Sequence, residues 1–248
     1  EAQLLSDEIL KRKQEILDSR VRSTEFLIER LRKHAPNCKT LISASAINYY
    51  GADATPPIPF NETSAPATDF LGTVCNLWEE ASHTGDSFLR TIILRFGVVL
   101  GRDDGAFPKF VAPQNWGIVP IIGNGKQIMS WIHISDLCNI IIWALTNVEI
   151  KGTFNAVAPN AVSQKQLMWS IATTKKGIKI PFYVPSYLLK ILMGEMPSAV
   201  MQSVHVSADK IEASGYTFKY PTIDMAVKNL LNHEKSDKHN HSDTQKEV

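Results

Sequence analysis

Three stretches of this sequence place chemically able side chains where a strand ends. The first is Ser43-Ala44-Ser45-Ala46-Ile47-Asn48-Tyr49-Tyr50-Gly51. A serine hydroxyl there can hydrogen-bond a substrate carbonyl or alcohol, and a tyrosine can deliver a proton. Ser43 and Ser45 could equally be small residues packed beneath a helix, with Tyr49 and Tyr50 as a loop lid. The second runs from Arg95 to Gly101, where a glycine either lets backbone approach a flat ring or simply ends a strand. The third is Gly123 to Leu137. Its Gly-Asn-Gly-Lys turn lacks the spacing of a phosphate-binding P-loop and reads as a hairpin turn. His133 and Asp136 have no third ligand near them, so His133 reads as a hydrogen-bonded structural histidine, and no metal is expected.

These residues need elements to hold them. Residues 6–34 carry apolar side chains near helical spacing and form one long amphipathic helix. Leu41 to Ala46 is a short buried strand, and Thr68 caps a helix from Asp69 to about Ser82. Thr91 to Gly101 is a near-continuous apolar run, the pattern of one strand covered by helices on both faces. Alternating helix and buried strand predicts a parallel α/β sheet. Further on, the spacing predicts a helix from Ser135 to Leu145, a strand from Thr153 to Val157, and a capping box at Ser163 and Gln166. A strand at Ile178 to Val184 and helices at 185–193, 207–214 and 222–231 follow. Residues 232–248 are too polar to offset the entropy of ordering and read as a disordered tail.

Composition sets the outer limits. Of 248 residues, 44% are hydrophobic and 21% charged, which excludes disorder as the main state. A net charge of +1 gives no overall field toward nucleic acid or an anionic membrane, and neither is expected as a partner. The apolar run from Ile140 to Leu145 falls far short of the roughly 20 residues that span a bilayer. Three widely spaced cysteines suggest neither a disulfide framework nor zinc, so a reducing compartment inside the cell, cytoplasmic or mitochondrial, is expected. The chain opens on Glu1 with no leader pattern, which suggests an incomplete sequence.

The order of these motifs resembles the extended short-chain dehydrogenase/reductase superfamily, and more narrowly the epimerase group typified by YfcH-type proteins. The resemblance rests on Ser-Ala-Ser-Ala before Tyr49-Tyr50-Gly51, on Trp78-Glu79-Glu80, on Leu94 to Gly101, on Gly125-Lys126-Gln127 and on Trp131 to Leu137. It implies a Rossmann-like parallel sheet, N-terminally truncated, with a smaller α/β C-terminal lobe. Residues 1–115 would be the C-terminal portion of a domain binding NADP or NAD. Residues 116–231 would be a substrate lobe interleaved with the last sheet elements, including a small C-terminal domain at 201–231. The family's Gly-x-x-Gly-x-x-Gly turn, which holds the cofactor pyrophosphate, is not in this sequence.

By the same resemblance Ser45 matches the superfamily's catalytic serine, while the Tyr-x-x-x-Lys window falls on Phe70 and Val74, neither of which transfers a proton. Tyr49 or Tyr50 is then the candidate proton donor. Ser43, Arg20, Arg95, Phe96, Gly97 and Val98 are the candidate cofactor-binding residues. The implied activity is an NAD(P)(H)-dependent oxidoreductase or epimerase acting on a small-molecule carbonyl or sugar-nucleotide-like substrate, as a homodimer paired through the helices at 6–34 and 69–82. The alternatives are a catalytically inactive NADP(H)-binding regulatory or assembly protein, and a non-functional fragment.

Overall fold

The computed structural model describes residues 2–53, 58–175, 177–185 and 202–232. In chain order the elements are α1 (Ala2–His34), β1 (Thr40–Ala46), α2 (Phe70–His83), β2 (Arg90–Phe96), β3 (Val98–Leu100), α3 (Ala106–Val111), β4 (Ile118–Ile122), β5 (Ile128–Met129) and β6 (Trp131–His133). Then come α4 (Ile134–Thr146), β7 (Gly152–Ala156), β8 (Val162–Ser163), α5 (Gln164–Thr174), β9 (Ile180–Val184), α6 (Asp209–Ala213) and α7 (Ile223–Asn232). The helix expected at 185–193 and the tail at 232–248 lie outside the described residues, apart from Pro185 and Asn232 at their ends.

β1, β2 and β7 form a parallel sheet in that order. Helices α1 and α2 cover one face, where Ile28 packs on Leu41 and Leu89. On the other face Ile92, Leu94 and Phe154 join Ile140 and Ala144 of α4 in one buried cluster. Burying each of the larger side chains among them contributes about 1.5–3 kcal/mol. Arg90 fastens α4 to the sheet at the far end, its guanidinium donating to the Ala144, Asn147 and Ile150 carbonyls at 2.9, 3.0 and 2.7 Å. The Ala144 carbonyl is in the last turn of α4, which leaves it without a helical partner, and Ile150 lies in the loop before β7.

The apolar run from Thr91 is two strands and not one. After Phe96 the chain changes neighbours: Gly97 N–H donates to the Ala156 carbonyl, Val98 N–H to the Ser130 carbonyl, and β3 then pairs with β6. Gly97 is required there by packing, since a Cβ would stand 2.7 Å from the Ser130 oxygen and 2.9 Å from Val157. Two other expectations are corrected. Asp69, not Thr68, caps α2 by accepting from Gly72 N–H. The Gly123–Lys126 turn closes no hairpin, because β4 pairs with β9 and β5 with β8. The capping box of Ser163 and Gln166 is present at α5.

The C-terminal segment returns to the middle of the molecule. Phe60 and Ser207 N–H groups donate to His205 and Phe60 carbonyls, and the Asp53 carboxylate accepts from Ser203 Oγ and His205 N–H. Ser130 Oγ bridges Val204 and Val206 from beneath. Asp136, 1% exposed at the start of α4, accepts from the backbone N–H groups of Lys219 and Tyr220 at 2.8 and 2.9 Å. Tyr216 donates to the same carboxylate. His133 caps α4, its Nδ1 accepting from Ser135 N–H while its ring stacks on Tyr220.

Replacing Asp136 with Ala strands two part-buried N–H groups and a buried phenol, and is expected to cost about 3 kcal/mol in urea unfolding. Burial holds the His133 pKa below its ordinary 6.5, against the raising pull of Asp136 and with the lowering push of Lys219. The unfolded chain therefore binds the extra proton first. Stability should be constant with respect to this group above pH 6.5, fall as pH drops below it, and level off once the folded histidine titrates. His133→Asn, which keeps a cap, should remove that slope; urea midpoints measured across this range check it.

Candidate active site

The parallel register sets Ser45, Arg95 and Asn155 side by side across β1, β2 and β7. Alternation turns all three to the α2 face, and all are buried. An arginine inside an otherwise apolar strand needs a partner, and α2 supplies it. Glu79, on the inner face of α2 one helical turn from Cys75 and from Ser82, pairs with Arg95 through Nε at 2.8 Å and Nη2 at 2.7 Å. Ser45 Oγ donates to the same carboxylate at 2.6 Å. The chain bends after β1 through a 3-10 turn, Ile47–Tyr50, closed by Gly51 at φ 71°. There the Tyr50 hydroxyl accepts from Arg95 Nη1 at 2.8 Å and donates to Asn155 Oδ1 at 2.6 Å. Asn155 in turn donates from its backbone to Glu62 and from its side chain to the Ser207 carbonyl. The result is one unbroken polar network, Ser45–Glu79–Arg95–Tyr50–Asn155–Glu62, running under the carboxyl ends of the strands.

The two tyrosines differ in kind. Tyr50 is 4% exposed and stacks on Phe60, with ring centroids 5.1 Å apart. Burial outweighs the lowering effect of Arg95 and pushes its phenol up to about 12. Tyr49 is half-buried, and its ring lies over the guanidinium of Arg95 with the carbon 3.4 Å from the ring centroid. For Arg95 burial alone would lower the pKa, but the hydrogen-bonded Glu79 carboxylate wins and holds the guanidinium above its ordinary value. Burial likewise pushes the neighbouring Cys75 thiol up to about 11.

The remaining expected site residues separate into two groups. Phe96 and Val98, half-buried, end β2 and begin β3; Phe96 and Tyr49 both pack against the cluster that holds Tyr50, and Val98 packs against the one around Leu100 and Trp131. Ser43 sits lower in β1, accepting from Ser82 Oγ at 2.8 Å. Arg20 stands apart on α1, its guanidinium over the Trp78 ring and bonded to the Ile16 carbonyl. Phe70 and Val74 open α2; Val74 is buried, and the Lys13 ammonium lies 5.5 Å from the Phe70 ring centre. Sequence reasoning missed Glu79, Asn155 and Glu62 as members of the site. The signal that could have found the first is Arg95 itself, a cation in an otherwise buried strand.

Side-chain chemistry decides what such a mouth accepts. Tyr49, Phe96 and Val98 present aromatic and aliphatic surface, suited to a flat, weakly polar ring. Of the two candidate guanidinium groups, Arg95 is committed to Glu79 and Arg20 to α1 and Trp78. The candidate residues thus fit the ring end of a nicotinamide dinucleotide rather than its diphosphate. Among the described residues no cluster of three or more His, Cys, Asp or Glu could hold a metal, and no helix is long and apolar enough to cross a membrane.

Removing one member of the buried pair leaves the other charge stranded. Glu79→Ala is expected to lose about 3–5 kcal/mol in urea unfolding, against about 0.5 kcal/mol or less for exposed Glu80→Ala. Near-equal midpoints for the two variants would sink the assignment.

Comparison with known proteins bears on the family and the fold. Residues 5–156 match the NAD dependent epimerase/dehydratase family, and residues 184–230 match a domain of unknown function. The chain is 36% identical over 224 residues to the epimerase family protein YfhF of Bacillus subtilis, covering 89% of this chain and 72% of that one. It is 32% identical to the Arabidopsis thaliana epimerase family protein SDR39U1 homolog, chloroplastic, covering 88% and 63%. Among solved structures, the human epimerase family protein SDR39U1 with NADPH superposes with a TM-score of 0.83 at 26% identity, covering 90% of this chain and 75% of that one. A nucleoside-diphosphate sugar epimerase from Corynebacterium glutamicum gives 0.71 at 29% identity, covering 92% and 46%. With its Rossmann-like parallel sheet and these matches, the chain belongs to the NAD-dependent epimerase/dehydratase family.

Proposed function

We propose that the protein is an NAD(P)(H)-dependent oxidoreductase or epimerase of the extended short-chain type, with Tyr49 as its proton donor. The observation that carries this reading is the contrast between the tyrosines. Tyr50 has its hydroxyl buried between Arg95 and Asn155, whereas Tyr49 sits half-buried at the mouth of the sheet. The family match and the NADPH-bound human relative support the cofactor. When bound, the nicotinamide supplies or accepts a hydride. Tyr49, Phe96 and Val98 would line its ring and exclude water from it. Tyr49 would then give a proton to, or take one from, the substrate oxygen. Ser45 spends its single proton on Glu79, so its part is to hold that carboxylate in place beneath the tyrosines. A small-molecule substrate and pairing of two copies through α1 and α2 belong to the same reading.

A second reading, an NADP(H)-binding protein without turnover, is favoured by Phe70 and Val74 standing in the Tyr-x-x-x-Lys window. The two part company in one experiment on the protein purified at its natural length. NADPH binding is followed by cofactor fluorescence, and turnover by absorbance against a panel of carbonyl and sugar-nucleotide substrates. Under the enzyme reading Tyr49→Phe lowers kcat by about a hundredfold or more with NADPH affinity little changed. Tight NADPH binding with no turnover on any substrate would favour the second reading.

A further inference from the structure

We propose that Glu79 and Arg95 are positioning residues for Tyr49, their ion pair presenting the guanidinium as a flat floor that sets the phenol at the mouth of the sheet. The inference rests on the reading of Tyr49 as proton donor.

A guanidinium donates in its own plane, and here that plane is fixed. Nε and Nη2 are held by both oxygens of Glu79, and Nη1 by the Tyr50 hydroxyl. Ser45 Oγ and the burial of Glu79 keep the carboxylate from turning. With its edge occupied, Arg95 has its faces left for contact, and Tyr49 takes one at 3.4 Å. Tyr50 meets the Tyr49 ring edge-on, centroids 5.4 Å apart at 80°, and so limits it in a second direction. The Tyr49 backbone is pinned separately, its carbonyl accepting from Ala67 N–H at 2.7 Å. That backbone bond does not involve the ion pair, and what the pair adds at Tyr49 is the direction of a half-buried ring that solvent would otherwise let swing between rotamers. A lysine at 95 would keep the charge but offer no planar face.

The test separates direction from stability. Glu79→Gln combined with Arg95→Met removes both charges at similar volume, a change that buried pairs often tolerate without loss of stability. Tyrosine rings are labelled with carbon-13, and the Tyr49 signals are assigned by their loss in Tyr49→Phe. The expected result is a melting temperature close to the parent's, Tyr49 signals moved to those of an unstacked ring, and turnover lower by about a hundredfold. Tyr49 signals left in place in the folded double variant would overturn the proposal. Should that variant not fold, Tyr49→Leu decides: the Arg95 Nε–H signal in nitrogen-15 spectra must move once the ring is gone, and one that stays put sinks the idea. If Tyr49→Phe keeps full turnover while the double variant still moves the Tyr49 signals, the proton-donor reading fails and the positioning claim stands.

Discussion

One buried charge organises this molecule. Arg95 stands in a strand whose other interior residues, from Thr91 to Leu94, are also buried, and taking a guanidinium out of water costs several kcal/mol unless its hydrogen bonds are replaced. The replacement comes from four elements at once: Glu79 on α2, Ser45 behind that carboxylate on β1, Tyr50 on the turn, and Asn155 on β7. Each is placed by the need to satisfy the one before it. The sheet register, the inward face of α2 and the bend after β1 are therefore not independent features.

That dependence explains the different fates of the expected site residues. Ser45 and Tyr50 carry side chains that chemistry could use, yet both are bound into the network from which Arg95 gets its partners. Tyr49, the neighbouring residue in a tight turn, lays its ring over the same guanidinium and stays half-buried. Gly51 and Gly72 let the turn, the following loop and α2 close up: a Cβ on either would stand 2.7 Å from the Ala67 side chain.

Much of the fold was legible because periodicity is a local property. The long helix, the first buried strand, the capping box at Ser163 and the helix at α4 all follow from residues within a few turns of one another. The break at Gly97 was not, because nothing in an apolar run marks where a strand changes partners; only the approach of Ser130 and Val157, far along the chain, makes a glycine necessary there. The same holds for the turn at Gly123, whose flanking strands pair elsewhere with β8 and β9. At the site, types were legible and partners were not. In the sequence Arg95 reads as a cofactor-binding candidate and not as the partner of a buried acid, and the choice of Glu79 over exposed Glu80 depends on which face α2 turns inward. Asn155 carries no signal of its own and is chosen by lying opposite Arg95 in the register.

The return of the C-terminal segment has a consequence in time. Asp53 is bonded to Ser203 across a separation of 150 residues, and Asn155 completes its bonds on Ser207. A ribosome adds about 5–20 residues each second, so the loop beyond Tyr50 emerges many seconds before the residues that fasten it. Once β7 has emerged the sheet can form, while its mouth stays open until Ser203 and Ser207 follow. The proposed site is thus among the last parts of the protein to set.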